Sequence, residues 1–375
     1  MKPSILFIFN PGRVERINQK QEFAKDFFYG YFNFKKSGFK TNLSEINHKS
    51  VFLISKFDKG INKLTKLPIH LSSFFNKDLI KKVNTNNHIY LVNESVMFYL
   101  LPYLVFKKRK NTSTNVFIMG LFSNINTMGK RTVIYKFILK NMILPNIDNF
   151  LFLGRGEYEL ASTNYQQYKE KFSFTPFGID TYFWKPQEQV IPDKKKYILF
   201  IGNDLNRDYD FLIKLISEMP EFDFVLITSR ISKKDVDFEN VKLLNGMWWS
   251  NKISDTELKN LYLDASLSII PLMETFQPSG QSVALQSMAT GTPVIITETK
   301  GFWDPLNVIN NQDIIFLDKN NIQLWANKIR ELLNNESKLK KIANNAQKLV
   351  NDKYNLERFS KTIIDNSINK SQSII

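Results

Sequence analysis

Residues 279–296 read SGQSVALQSMATGTPVII, a stretch with the pattern of a loop, a helix and a strand in succession. It opens with small and polar residues and continues as an apolar run with helical spacing, which breaks at Gly291-Thr292-Pro293. Val294-Ile295-Ile296 then has the composition of a buried strand. A glycine-bearing loop at a helix start is suited to an anion, because backbone N–H groups and the positive end of the helix dipole point at it.

The loop and the helix therefore provide candidate ligand contacts. Gly280 allows a close backbone approach, and Gln286 lies about one helical turn beyond Ser282, on the same side of the helix. We predict phosphate binding by the residues at the helix start, which are Ser279, Gly280, Gln281 and Ser282. The alternative is an ordinary α/β crossover with a Gly-Thr-Pro turn.

The segment Leu285–Val294 resembles the donor-binding helix of retaining, nucleotide-sugar-dependent glycosyltransferases of family 4, which have the GT-B fold. These enzymes usually carry two Glu residues eight positions apart in this region. Here Gln286 stands at the second Glu position and Pro278 at the first, while the nearest acid, Glu274, comes four residues too early.

A second stretch, FTPFGIDTYFWKP at residues 174–186, resembles the segment that joins the two GT-B domains. The resemblance implies an α/β protein with two Rossmann-like domains, parallel sheets and a C-terminal helix that crosses back to the first domain. We predict an acceptor-binding domain over residues 1–178, a donor-binding domain over residues 179–356 and the crossover helix over residues 357–375.

Short apolar segments alternate with helical ones along both halves, as expected for βαβ units. Ile5–Phe9 and His88–Val92 are predicted strands, and residues 18–33 have the spacing of one helix. Ser95 is a plausible N-cap for a helix that starts at Val96.

The resemblance also implies a cation that stabilises the leaving diphosphate. Arg207 lies within one residue of the position where relatives carry Lys, in a loop that begins with Gly202 and Asn203. An arginine fork binds phosphate well, so we predict that Arg207 is catalytic and that Gly202 and Asn203 contact the donor. The alternative is a surface ion pair between Arg207 and Asp204 or Asp208.

Further site residues are predicted outside these two loops and beyond the helix start. Glu274 is the second catalytic candidate, because a shifted loop could bring its carboxylate to the sugar hydroxyls. Gln286 could bond a ribose diol in place of the missing Glu, and on this basis Gln286→Glu is expected to be tolerated. The further candidates on the donor side are Arg230 and Trp248, for which the alternatives are a solvent-exposed arginine and an ordinary core or surface aromatic. Those on the acceptor side are Gly12 and Ser123.

Composition limits the chemistry. The chain has 375 residues and no Cys, which excludes disulfides and Cys nucleophiles and fits a reducing cytoplasm. No metal or cofactor is expected beyond the nucleotide sugar. The net charge is +15, and residues 1–187 hold 28 Lys and Arg against 12 Asp and Glu, or +16, so residues 188–375 carry −1. This asymmetry indicates a polyanionic partner, although AT-rich coding bias also raises the Lys content.

The resemblance and the charge together define the predicted function. We expect a metal-independent, retaining hexosyltransferase that moves a sugar from a nucleoside-diphosphate donor, with UDP favoured over GDP, to a lipid, lipid-linked or glycan acceptor. We expect no signal peptide, no transmembrane helix and no nucleic-acid partner. The predicted location is the cytoplasm, with attachment to the anionic inner face of the membrane. The alternative is a basic binding protein on a GT-B scaffold without catalytic activity.

Overall fold

The computed structural model describes residues 2–47, 52–106, 112–127, 129–186, 197–246 and 253–369. It divides the chain into two compact units. The first unit comprises Met1–Lys20, Phe27–Pro176 and Phe359–Ile375, and the second comprises Gln21–Asp26 and Phe177–Arg358.

The first unit contains a parallel sheet of six strands. They are β1 (Ser4–Phe9), β2 (Lys40–Glu45), β3 (His88–Leu91), β4 (Ser113–Ile118), β5 (Asn149–Phe152) and β6 (Phe172–Phe174). The strand order is β2-β1-β3-β4-β5-β6, and every pair is parallel. Helices cover both faces of such a sheet, and for this reason the central strands are almost continuously apolar and buried.

The second unit contains another parallel sheet of six strands. They are β7 (Tyr197–Ile201), β8 (Phe224–Ile227), β9 (Val241–Leu244), β10 (Ala265–Ile270), β11 (Val294–Thr297) and β12 (Ile315–Leu317). The order is β12-β11-β10-β7-β8-β9, again with every pair parallel. The order reverses between β7 and β10, and this position is the topological switch point of a doubly wound sheet.

Helices connect these strands. They are α1 (Arg13–Asn18), α2 (Tyr31–Lys36), α3 (Phe52–Thr65), α4 (Lys77–Thr85), α5 (Glu94–Phe106), α6 (Thr132–Ile138), α7 (Leu144–Asn146), α8 (Arg155–Asn164), α9 (Thr181–Trp184), α10 (Tyr209–Ser217), α11 (Asp255–Asp264), α12 (Gln281–Ala289), α13 (Ile322–Leu333), α14 (Glu336–Lys353) and α15 (Leu356–Ile364). After α15 the chain packs within the first unit, where the Ser367 hydroxyl lies 2.7 Å from that of Tyr90.

The predicted fold class is confirmed, since each unit is a parallel sheet covered by helices. The single helix predicted over residues 18–33 is wrong. Helix α1 ends at Asn18 and α2 begins at Tyr31, because Tyr29 and Gly30 adopt positive φ angles of 51° and 84°. Ser95 lies inside α5, and the capping side chain is that of Asn93, whose Oδ1 accepts from the Val96 amide at 3.2 Å.

Within the described residues, no helix combines the length and the apolar character needed to cross a bilayer. The domain limits and roles assigned from the sequence stay predictions.

Candidate functional site

The candidate donor site lies at the switch point of the second unit. β7 is followed by the loop that carries Arg207, and β10 by the loop that leads to α12. The two loops are joined, because the Met273 amide donates to the Asn206 carbonyl at 2.9 Å and Arg207 forms a bridge with Leu272. In open α/β sheets, ligands bind beyond the carboxyl ends of the strands at such a switch point.

Arg207 is buried in this position, with only 3% of the residue exposed. Its Nη1 lies 2.9 Å from Asp204 Oδ2, so one of the pairs considered as an alternative does form. Arg207 itself is nevertheless inside the protein, and its buried Nε has no hydrogen-bond partner among the residues that the structure describes. A buried cationic donor without an acceptor is costly, and an anion bound beside it would remove that cost.

Two glycines make room for the Arg207 guanidinium. A Cβ atom on Gly202 would lie 2.6 Å from Arg207 Nε, and one on Gly280 would lie 3.7 Å from Arg207 Nη1. The second glycine has further constraints, since its φ is +76° and a Cβ there would lie 2.8 Å from Ile270 Cγ2. Arg207 is thereby placed next to the start of α12.

The N-terminus of α12 has the features predicted for an anion site. Its N-cap is Gly280, which offers no side chain to accept from the first-turn N–H groups. Ser279 and Gln281 are buried and Ser282 is half-buried. The positive end of the helix dipole and the Arg207 cation therefore lie at the same place.

Asn206 is a site residue that the sequence did not reveal. Its Nδ2 donates to Ser279 Oγ at 2.8 Å and to Gln277 Oε1 at 3.0 Å, so it fixes the loop that precedes α12. No local pattern marks an Asn for this role, because its partners are more than 70 positions away.

Asn203 and Arg230 lie at the carboxyl ends of neighbouring strands. Asn203 Oδ1 accepts from the Ser229 amide at 2.7 Å, and its Nδ2 donates to the Gly246 carbonyl. Arg230 is exposed, and its Nε donates to the Asn203 carbonyl at 2.9 Å. Asn203 thus ties three loops together through its side chain. Trp248, the other predicted donor contact, lies outside the described residues.

Glu274 is exposed and faces the loop that follows β11. Its Oε1 accepts from the Lys300 amide at 3.0 Å. The catalytic role assigned to Glu274 stays a prediction.

Gln286 is buried, with 2% of the residue exposed, and both ends of its amide are bonded. Its Nε2 donates to Asp26 Oδ2 at 2.9 Å, and its Oε1 accepts from the Tyr262 hydroxyl at 3.3 Å. The predicted bond to a ribose would have to compete with these two partners.

The acceptor-side candidates lie in the first unit, each after a strand. Gly12 is the N-cap of α1 with φ +106°, and the amides that follow it donate to Glu45: Val14 N does so at 2.8 Å. Ser123 follows β4, and its amide donates to Glu157 Oε1 at 3.1 Å.

Two acids, the buried Glu157 and the half-buried Glu94, hold the loop that contains Ser123. Glu157 Oε1 also accepts from the Phe122 amide at 2.8 Å, and Glu94 Oε1 accepts from the Met119 amide. Burial, and after it the Glu94 carboxylate, raise the pKa of Glu157 to about 8. Burial also raises the pKa of Glu94. Glu157 is therefore protonated at neutral pH.

A family model matches part of the second unit. Residues 184–349 match the family model described as Glycosyl transferases group 1, so the chain carries a domain of this kind. Among proteins of curated function, none matches the chain.

Solved structures cover nearly the whole chain. A glycosyltransferase from Rickettsia africae is 15% identical, covers 99% of each chain and has a TM-score of 0.69. Sucrose-phosphate synthase from Thermosynechococcus elongatus is 14% identical over 100% of each chain, also with a TM-score of 0.69. HepE from Anabaena, solved in complex with UDP-glucose, is 11% identical over 100% of each chain with a TM-score of 0.66.

At these identities the likeness shows the fold, which is that of GT-B glycosyltransferases. Family 4 and the retaining stereochemistry, predicted from the sequence, stay predictions.

Proposed function

We propose that this protein is a retaining, metal-independent hexosyltransferase that uses a nucleoside-diphosphate sugar, with UDP favoured over GDP. One observation carries the proposal: the buried Arg207 guanidinium, with an unpartnered Nε, lies beside the N-terminus of α12 at the switch point of the second sheet. The complex of HepE with UDP-glucose supports the choice of donor, since that protein shares the fold.

This arrangement suits the chemistry of glycosyl transfer. Negative charge grows on the diphosphate as the bond to the sugar breaks, and donors fixed in advance at that point lower the barrier most. Gly202 and Gly280 leave room for the Arg207 cation beside the start of α12, and Asn206 fixes the loop that precedes this helix. The charge needed by the leaving group is then supplied by the chain itself.

Calorimetry with UDP tests the donor site. The wild-type protein should bind UDP and release it slowly from UDP-glucose. Loss of one charged hydrogen-bonding contact costs about 1.5–3 kcal/mol, so Arg207→Ala should lower turnover roughly 10- to 150-fold. Arg207→Lys should recover only part of it, because the planar fork is lost.

Arg330 offers a matched control, since it is a surface arginine of the same unit that pairs with Glu221 at 2.7 Å. Arg330→Ala should leave UDP affinity and turnover unchanged. A turnover of Arg207→Ala equal to that of the wild type would overturn the proposed site. Binding of UDP without any hydrolysis or transfer would favour the alternative of an inactive binding protein.

The stereochemistry is tested directly on the product. If the enzyme is retaining, transfer from the α-anomer of UDP-glucose should give an α-glycoside, which the anomeric coupling constant in NMR identifies. A β-glycoside would contradict this part of the proposal and leave the donor site untouched.

The acceptor side of the proposal is a lipid or lipid-linked acceptor at an anionic membrane. The basic run Lys107–Lys110, which follows α5 in the sequence, lies outside the described residues. The first unit has another surface of this character, formed by α3 and α6. Its exposed apolar residues are Phe57, Leu64, Val133 and Phe137. Its exposed basic residues are Lys56, Lys59, Lys63, Lys130, Arg131, Lys136 and Lys140.

We call these eleven residues the α3–α6 face. The two helices adjoin, because Arg131 Nε donates to the Leu64 carbonyl at 3.1 Å. Asp58 is the one acid in α3 and it is buried, and the sequence has no Asp or Glu between Glu94 and Asp148. Exposed apolar side chains among basic ones are what an anionic bilayer binds, at about 1 kcal/mol per basic residue near its surface.

Vesicle sedimentation tests this surface. The protein should bind vesicles that contain phosphatidylserine at low salt and be released at high salt. A triple change of Lys59, Lys63 and Lys136 to Glu should abolish binding, whereas the same change of Lys338, Lys340 and Lys341 in the second unit should not. Equal binding by both variants would overturn the α3–α6 face, and a soluble glycan acceptor would then be preferred.

A further inference from the structure

Asp26 is a fully buried acid that the proposed chemistry does not use. Its Oδ1 accepts from the Asp180 amide at 2.6 Å, and its Oδ2 accepts from Trp184 Nε1 at 2.7 Å and from Gln286 Nε2 at 2.9 Å. It belongs to Gln21–Asp26, a segment that packs within the second unit. This carboxyl group therefore links α9 to the middle of α12.

The orientation of the Gln286 amide follows from these contacts. Its nitrogen faces Asp26, because Asp26 Oδ2 is an acceptor that also binds Trp184 Nε1. Its oxygen then faces the Tyr262 hydroxyl, which lies 3.3 Å from Gln286 Oε1 and 3.4 Å from the Val283 carbonyl. An acid at position 286 could not make the first of these bonds while ionised.

We propose that Asp26 is a positioning residue of the donor-binding helix α12, and that Asp26 and Gln286 form a matched pair of acid and amide. In this chain residue 26 supplies the buried carboxyl group that accepts from Asp180, Trp184 and residue 286. Residue 286 therefore has to be neutral. The role in donor binding rests on the proposed function, whereas the pairing itself does not.

The proposal reverses the expectation, drawn from the sequence, that Gln286→Glu is tolerated. Burial is the main cause that raises the pKa of Asp26 to about 7, and the Asp180 carboxylate adds to it. Tyr262 is a further titratable group beside Asp26: burial is the main cause that raises its pKa, and the Asp26 carboxylate adds to it. A second carboxyl group at position 286 would oppose ionisation of both acids, and its cost should grow as the pH rises.

The test is a double-mutant cycle that compares the wild type, Gln286→Glu, Asp26→Asn and the double variant. Thermal unfolding without ligand at pH 6 and pH 8 reports the pairing, and UDP affinity reports the positioning role. We expect Gln286→Glu to lower the midpoint of unfolding more at pH 8 than at pH 6 and to weaken UDP binding at least tenfold. The double variant should recover part of both losses, because an amide at position 26 can donate to a carboxylate at position 286, while Trp184 Nε1 loses its acceptor.

Gln323 provides the matched control. Its Nε2 also donates to a carboxylate, Glu218 Oε1 at 3.4 Å, but on the surface. Gln323→Glu should change neither the unfolding midpoint nor UDP affinity, since exposed charges interact weakly.

The outcomes separate the two proposals. Additive effects in the cycle, or unfolding of Gln286→Glu like that of the wild type at pH 8, would overturn the pairing. If the two changes are not additive in unfolding but Gln286→Glu binds UDP as tightly as the wild type, the positioning role is overturned. If the wild-type protein binds no nucleoside diphosphate, the proposed function fails, while the ligand-free unfolding data still decide the pairing.

Discussion

The loops at the carboxyl ends of the two sheets differ in how their polar groups are used. In the first unit, Glu45, Glu94 and Glu157 accept from the backbone N–H groups of the loops after β1 and β4. In the second unit, the corresponding place holds the Arg207 cation with an unpartnered Nε and a helix start without a side-chain cap. In the first unit, the protein's own carboxyl groups accept from the N–H groups of these loops. In the second unit, hydrogen-bond donors remain available for a ligand.

This difference predicts different effects of mutation at the carboxyl ends of the two sheets. Donors that are satisfied internally fix a loop and stabilise the folded state. A buried donor without an acceptor costs stability, and proteins keep such groups where function requires them. Removing a polar group should therefore destabilise the first unit, while at Arg207 it should cost function and not stability.

The largest effect is expected for Glu157→Ala in the first unit. It would leave the buried amide of Phe122 and the half-buried amide of Ser123 without an acceptor. The first should lower the free energy of unfolding by about 1–3 kcal/mol, and the second adds a smaller loss. Urea denaturation measures this loss. Glu159 is an exposed acid of the same helix, so Glu159→Ala should stay within about 0.5 kcal/mol of the wild type.

The next effect concerns pH. The pKa of Glu157 is raised from 4.5 to about 8. Between these values the folded protein holds a proton that the unfolded chain has lost, so this group makes stability fall as the pH rises from about 4.5 to about 8. Glu157→Gln removes the ionisable group and keeps an acceptor for Phe122 and Ser123.

The unfolding midpoint of Glu157→Gln, measured against that of the wild type, should therefore rise steadily between pH 5 and pH 8. The pKa of Asp26 is also raised, but Asp26 is present in both proteins. The difference between their unfolding midpoints therefore reports the titration of Glu157. A difference that stays constant with pH would show that Glu157 is not protonated in the folded state.

The third prediction concerns Arg207→Met in the second unit. Met fills a similar volume without a buried charge, and Asp204, the partner left behind, is 38% exposed and can be solvated. The unfolding midpoint without ligand should be unchanged or higher. UDP at 100 times Kd should stabilise the wild type by about 2.7 kcal/mol, and the variant much less at the same concentration. A lower unfolding midpoint without ligand would contradict the proposed difference between the carboxyl ends of the two sheets.

The sequence predicted the parts of this comparison that depend on local pattern. The predicted strand Ile5–Phe9 and the stretch from Gly280 to Ile296 correspond to elements of the structure, because helical periodicity, the glycine before the helix and the β-branched run are local signals. The assignment of Arg207 to the leaving diphosphate followed from the resemblance, and it stays a prediction.

The other parts depend on contacts between distant positions. Asp26 and Gln286 are separated by 260 positions, and nothing near either residue marks the bond between them. The predicted helix over residues 18–33 failed for the same reason, since the Ala24 amide donates to Asp255 in the second unit. Glu94 and Glu157 look like ordinary first-turn acids in the sequence, and only the fold directs them to one loop.

The smallest predicted effect is that of Glu45→Ala. Glu45 accepts from the Arg13 and Val14 amides at the start of α1, and its loss should cost about 0.5–2 kcal/mol, as for other helix caps. Because α1 has only six residues, the effect should be local and appear as faster hydrogen exchange at these two amides. Lys40→Ala, an exposed change on the same strand, should leave that exchange unaltered. Unchanged hydrogen exchange in Glu45→Ala would mean that the loop after β1 is fixed by other contacts. The difference between the carboxyl ends of the two sheets would then rest on Glu94 and Glu157 alone.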